Sequence, residues 1–154
     1  MKSLANKYFQ SILDRQQHIM DMLDYRKELQ ERAASIGSID TSKERVQTSH
    51  ITDRISSIVA ELVTLDQKIK DEKIILWDVT QECIMKIREL RDKNYIQVLT
   101  KIYVQFKSYK QVASETNHRL GWVLKKQKEA IQLFNQVHYE FLCKQVEKGS
   151  DCTE

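Results

Sequence analysis

Residues 108–134 read SYKQVASETNHRLGWVLKKQKEAIQLF, an order that suits two helices meeting across a short turn. Ser108 stands where a helix needs an oxygen acceptor for its first free amides, and Gln111, three residues on, completes a capping box. Val112 and Ala113 then face inward, the small alanine letting a second helix cross closely. Asn117 falls in the turn, where a residue tolerant of the left-handed conformation can stand in for glycine. Beyond the turn Val123, Ala130 and Phe134 recur at spacings of seven and four, which puts them on one side of the second helix. That side is expected to pack onto Val112, Leu99 and Tyr103.

At roughly 100° per residue, Trp122, Lys125 and Glu129 point away from the apolar side, with Arg119 and Lys126 flanking them. Phosphates and guanine edges are read by cationic donors, which Arg119, Lys125, Lys126 and Lys128 supply. With Lys110 on the preceding helix, the candidate DNA-contacting residues are Lys110, Arg119, Trp122, Lys125, Lys126 and Glu129. Trp122 is expected to be largely exposed, able to pack on sugar or a thymine methyl group. Glu129 can accept from a cytosine amino group or simply limit nonspecific phosphate binding. A lysine-rich stripe is also what a solvated helix face looks like. The cap, the small crossing residue and the turn asparagine favour the functional reading.

Upstream, Asp92 and Asn94 are candidate caps, and helices are expected at about 93–105, 109–116 and 120–146. From Asp92 to Phe134 the chain resembles the region-4 domain of bacterial sigma factors. That pattern is a Tyr-bearing helix, Ser-x-x-[EQ]-[IV]-Ala, a turn, and x-x-V-x6-Ala-x3-hydrophobic; it is matched by Tyr103, Ser108, Gln111, Val112, Ala113, Val123, Ala130 and Phe134. With its long N-terminal helices the whole chain is similar in layout to small phage and prophage transcription regulators of Gram-positive bacteria, of the late-gene activator kind. The resemblance implies binding to promoter DNA, alone or alongside RNA polymerase. The chain departs from the pattern at Arg119, where the family has a capping Ser, at His118, an apolar turn position, and at Glu129, a commonly basic site.

The N-terminal half carries a heptad seam: Ile51, Ile55, Ile58, Leu62, Leu65 and Ile69 follow a 4-3-4-3-4 spacing. Glu72 sits where the register asks for an apolar residue, and the seam resumes through Leu76, Val79, Cys83, Ile87 and Leu90. A first helix over about 3–34, with Leu4, Phe9, Ile12, Ile19 and Leu23 at helical spacing, is the nearest partner, folded back as an antiparallel hairpin. The hinge is expected at 35–42, with Thr41 and Glu44 as a capping box for the second helix. A homodimer through the same seam is the competing geometry. Trp77 is expected to serve core or hairpin packing.

Composition agrees with an all-α fold. The 154 residues contain no proline and three glycines, which removes the usual punctuation of hairpins and barrels. The net charge of +3 is uneven. Residues 1–90 hold 14 Lys/Arg against 15 Asp/Glu, whereas residues 91–148 hold 11 against 5, so the basic excess lies with the candidate DNA-binding module. Three cysteines without CxxC spacing and four scattered histidines indicate neither a disulfide framework nor a metal site, and no nucleophile, base and orienter occur together. The longest apolar run, Ile74–Trp77, is far short of a membrane span, and the N-terminus lacks the pattern of a secretory signal.

The expected organisation is a helical hairpin arm over 1–90, a helix-turn-helix domain over 91–148 and a flexible tail over 149–154. The expected function is that of a cytoplasmic DNA-binding transcription regulator, without enzymatic activity, cofactor, metal or membrane partner. A small-terminase-like packaging subunit and a coiled-coil interaction protein remain as alternatives.

Overall fold

A computed structural model of the chain describes residues 2–37 and 45–151. All regular structure among them is helical: α1 (Leu4–Gly37), α2 (Arg45–Arg88), α3 (Lys93–Leu99), a π turn (Thr100–Val104), α4 (Tyr109–Thr116), α5 (Leu120–Val137) and α6 (Tyr139–Asp151). Among the described residues no helix is long and apolar enough to cross a membrane. Thr41 and Glu44, with most of the expected hinge, lie outside the described residues.

The chain divides into two compact units, and not at residue 90: one comprises residues 1–14 and 76–154, the other residues 15–75. The reason is the first turns of α1, whose apolar residues are buried with the C-terminal helices. Ala5, Phe9 and Ile12 are each buried to 1% exposure or less. Phe9 stacks on Tyr103 at 4.6 Å between ring centroids and meets Phe134 edge-on at 4.8 Å. Tyr8 lies at 5.9 Å from Phe134 and 5.5 Å from Phe141. Cys83 and Ile87, near the end of α2, and Leu90, just beyond it, are buried in the same unit.

The unit over 15–75 pairs α1 and α2 antiparallel, as Arg15–Glu72 (3.7 Å), Arg26–Asp66 and Tyr25–Glu61 show. Its core is Leu29, Leu65 and Ile69, with Met22, Leu23, Ile58 and Leu62 packed against it. Burying a Leu or Ile contributes about 1.5–3 kcal/mol, while exposed ion pairs mainly set register, so the apolar seam carries this unit. Glu72, out of place in the heptad, is half-buried and answered by Arg15.

Three expectations need correction. Trp77 is 64% exposed, because the inward line of α2 runs through Leu76, Thr80, Cys83 and Ile87, and the residue after Leu76 is turned about 100° away from it. The expected helix over 120–146 breaks at His138 (φ −113, ψ 28). Its Nε2 lies 2.8 Å from the Lys86 carbonyl, one of the four that the end of α2 leaves without a helical partner. Backbone hydrogen bonds continue on either side, from His138 N to Phe134 O and from Leu142 N to His138 O, so the break is a kink. Helix α6 then runs to Asp151, into the segment expected to be a flexible tail; residues 152–154 lie outside the described residues.

Candidate nucleic-acid interface

Local chemistry fixes α3 to α5. Asp92 caps α3, its Oδ1 accepting from the amides of Asn94 (2.9 Å) and Tyr95 (3.1 Å). The expected helix over 93–105 gives way at Thr100 to the π turn, closed by Gln105 N donating to Thr100 O at 3.0 Å. Phe106 then takes a left-handed φ of 55°, which ends the helix and brings the chain to Ser108. There the capping box forms with both bonds: the Gln111 amide donates to Ser108 Oγ (3.2 Å) and the Ser108 amide to Gln111 Oε1 (2.9 Å). Asn117 adopts the left-handed region (φ 57, ψ 37), and its N–H returns to the carbonyls at the end of α4.

Val112, Val123, Ala130 and Phe134 are fully buried, as are Leu99 and, at 5% exposure, Tyr103. Gln127, one turn before Ile131, donates to the Tyr103 hydroxyl at 2.6 Å and the Tyr109 hydroxyl at 3.2 Å, tying α5 to the π turn and α4. The orientation of α5 is therefore set by residues that do not belong to its outer face.

Five of the six candidate residues separate into two groups, and Trp122 stands apart from both. Lys110, Arg119 and Lys125 are exposed, as is Lys128, and none forms an ion pair among the described residues. Arg119 occupies the N-cap position of α5 (φ −74, ψ 155) without a side-chain cap, the direct result of an arginine standing where a serine would accept amide protons. Lys126 and Glu129 are half-buried and committed to each other and to Tyr95. Lys126 Nζ lies 3.2 Å from Glu129 Oε2 and 5.6 Å from the centroid of the Tyr95 ring, whose hydroxyl donates to the same carboxylate at 3.1 Å. These bonds lower the Glu129 carboxyl below its ordinary range and raise the Lys126 ammonium above its own, each being held in its charged form.

Trp122 differs from expectation: it is half-buried, its indole lying face to face with the His118 imidazole at 3.6 Å and 15°. His118, which departs from the family pattern, thus covers one face of the indole. The other pairing not legible from periodicity is that of Glu115, which holds Lys101 (2.5 Å) and Lys107 (2.7 Å). Among the described residues no group of three or more His, Cys, Asp or Glu side chains could hold a metal ion.

No protein-family model, curated protein or solved structure matches this chain.

Proposed function

We propose that the chain is a sequence-specific, double-stranded-DNA-binding transcription regulator of the phage or prophage type, with α4 and α5 as its helix-turn-helix. The observation that carries this reading is the surface of the α4–α5 pair. Arg119, Lys110, Lys125 and Lys128 stand exposed and free of ion pairs among the described residues, beside a two-helix core in which α4 is capped and Val112, Val123, Ala130 and Phe134 are buried. In this reading the cations neutralise phosphates and the start of α5 meets base edges, with Trp122 presenting its edge beneath His118. Lys126 and Glu129 position α5 against α3 instead of reading bases. The protein binds in the cytoplasm and performs no chemistry of its own. In this reading the protein partner is RNA polymerase or a second copy of the chain, and the exposed Trp77 (64%) and Met85 (67%) of α2 offer apolar surface to it.

Fluorescence anisotropy of the full chain with a labelled random duplex tests the binding. The reading requires association at 50 mM salt that weakens steeply towards the Kd range of about 10⁻⁴–10⁻⁶ M typical of nonspecific complexes at physiological salt. No association at 50 mM salt contradicts it. Footprinting on the protein's own genome then reads sequence preference.

A further inference from the structure

Between residues 93 and 137 the sequence carries two carboxylates, Glu115 and Glu129, and both are engaged by lysines. Glu129 takes one. Glu115, on α4, takes two that arrive from separate stretches: Lys101 from the π turn, at 2.5 Å, and Lys107 from the segment before α4, whose Nζ lies 2.7 Å from both carboxylate oxygens. The Lys101 and Lys107 side chains are 18% and 30% exposed and Glu115 38%, so water and solutes reach this cluster. The Glu115 carboxyl is lowered below its ordinary range by hydrogen bonds from the two ammonium groups. Two ammonium groups converging on one oxyanion is also the arrangement a protein offers to a backbone phosphate.

We propose that Glu115 is a specificity-determining residue: its carboxylate fills the place between Lys101 and Lys107 that a DNA phosphate would take, and withholds both cations from sequence-independent binding. The proposal rests on the DNA-binding reading above. Nonspecific affinity is set by how many phosphates are neutralised with release of counterions. A cation already neutralised within the protein releases none. The electrostatic contribution of this module is thereby confined to the lysines and arginine that have no internal counterion, Lys110, Arg119, Lys125 and Lys128 among them. A helix whose every nearby lysine were free would bind any duplex more tightly and discriminate less.

The test is a salt series for the full-length protein on a random duplex, with Glu115→Gln beside the unaltered chain. Glu115→Gln should bind more tightly at low salt, and the slope of log K against log salt should steepen by up to about 2 units, at roughly 0.9 for each lysine released. Adding Lys101→Ala and Lys107→Ala to Glu115→Gln should return the slope to that of the unaltered protein. Equal slopes for Glu115→Gln and the unaltered protein overturn the proposal, and so does a steepening that survives in the triple variant. If melting shows that Glu115→Gln alone does not fold, Glu115→Gln with Lys101→Ala, which leaves Lys107 released, should still steepen the slope by roughly 0.9, and an unchanged slope there overturns the proposal. A slope shallower than the unaltered protein's would mean that Lys101 and Lys107 already contact phosphate, contrary to the proposal. Failure of the unaltered protein to bind DNA at all overturns the DNA-binding reading as well, a result distinct from one in which it binds and Glu115→Gln behaves identically.

Discussion

Phe9, in the second turn of α1, stacks on Tyr103, in the π turn, with ring centroids 4.6 Å apart and planes 28° from parallel. The pair joins residues 94 positions apart in sequence. Because Phe9 is 1% exposed and also touches Phe134, it is a core residue of the unit that holds α4 and α5. Phe9→Ala should lower stability by about 3–5 kcal/mol, the usual cost of emptying an aromatic site. A fragment starting at residue 91 should fail to fold for the same reason, lacking Phe9, Ile12, Cys83 and Ile87. Chemical denaturation followed by circular dichroism measures both, and a stable, cooperative 91–148 fragment would contradict the placement.

The Glu129–Lys126–Tyr95 cluster predicts a pH signature. The Glu129 carboxyl is lowered from 4.5, so its contribution is full above that ordinary value and is lost as pH falls through the lower folded value. The Lys126 ammonium is raised from 10.5, so its contribution is full below 10.5 and is lost as pH rises through the higher folded value. Glu129→Gln should therefore reduce the melting temperature across the neutral range, with the deficit shrinking in acid. A deficit that stays constant as pH falls from neutral to the acid unfolding of the protein would mean that the charge on Glu129 contributes nothing.

Cys83 is buried, and burial pushes its thiol up to about 12. The Tyr8 hydroxyl beside it is raised by the same cause and, among the described residues, hydrogen-bonds to no nitrogen or oxygen. Since thiolate is the reactive form, Cys83 should resist alkylation in the folded protein. In a Cys143→Ser/Cys152→Ser background, iodoacetamide should modify Cys83 only at the rate of unfolding, read by mass spectrometry. Rapid modification under native conditions would place Cys83 outside the core.

The His118 stack changes what Trp122→Ala should do. A half-buried indole with one face covered sits between an open surface residue, whose replacement costs roughly 0.5 kcal/mol, and a core aromatic at about 3–5 kcal/mol. An intermediate loss of stability is expected, together with weaker DNA binding. His118→Ala should leave the fold intact and shift the indole fluorescence. Loss of stability on the full core scale for Trp122→Ala would show that the indole belongs to the interior.

The contrast between Asn117 and Trp122 shows what was legible in the sequence. Asn117, Ser108–Gln111 and Asp92 act on backbone groups within a few residues, so composition and spacing are enough to place the turn and the capping box and to narrow the α3 cap to Asp92 or Asn94. The heptad seam was equally readable, because a stripe at fixed spacing has to be buried. What each buried face meets is set by residues far away in sequence. Nothing near Phe9 points to Tyr103, nothing near His138 points to the Lys86 carbonyl, and nothing near Lys126 points to the Tyr95 ring. Trp77 and Trp122 were misplaced for related reasons: one lay a single residue off the true inward line, and the other gained cover from a side chain in the turn. Of the candidate site, the exposure of Arg119 and Lys125 follows from helical phase; the commitment of Lys126 and Glu129 to Tyr95 on α3 does not.

The central claim, that the outer face of α5 binds DNA, is tested most directly by the salt dependence of Lys125→Ala/Lys128→Ala in the full-length protein. Both side chains are exposed and remote from the core, so melting should change little. If each neutralises a phosphate, the slope of log K against log salt on a random duplex falls by about 2 units and affinity drops on every sequence alike. A slope and affinity equal to those of the unaltered protein would mean that this face looks into solvent and that the DNA-binding assignment of α5 is wrong.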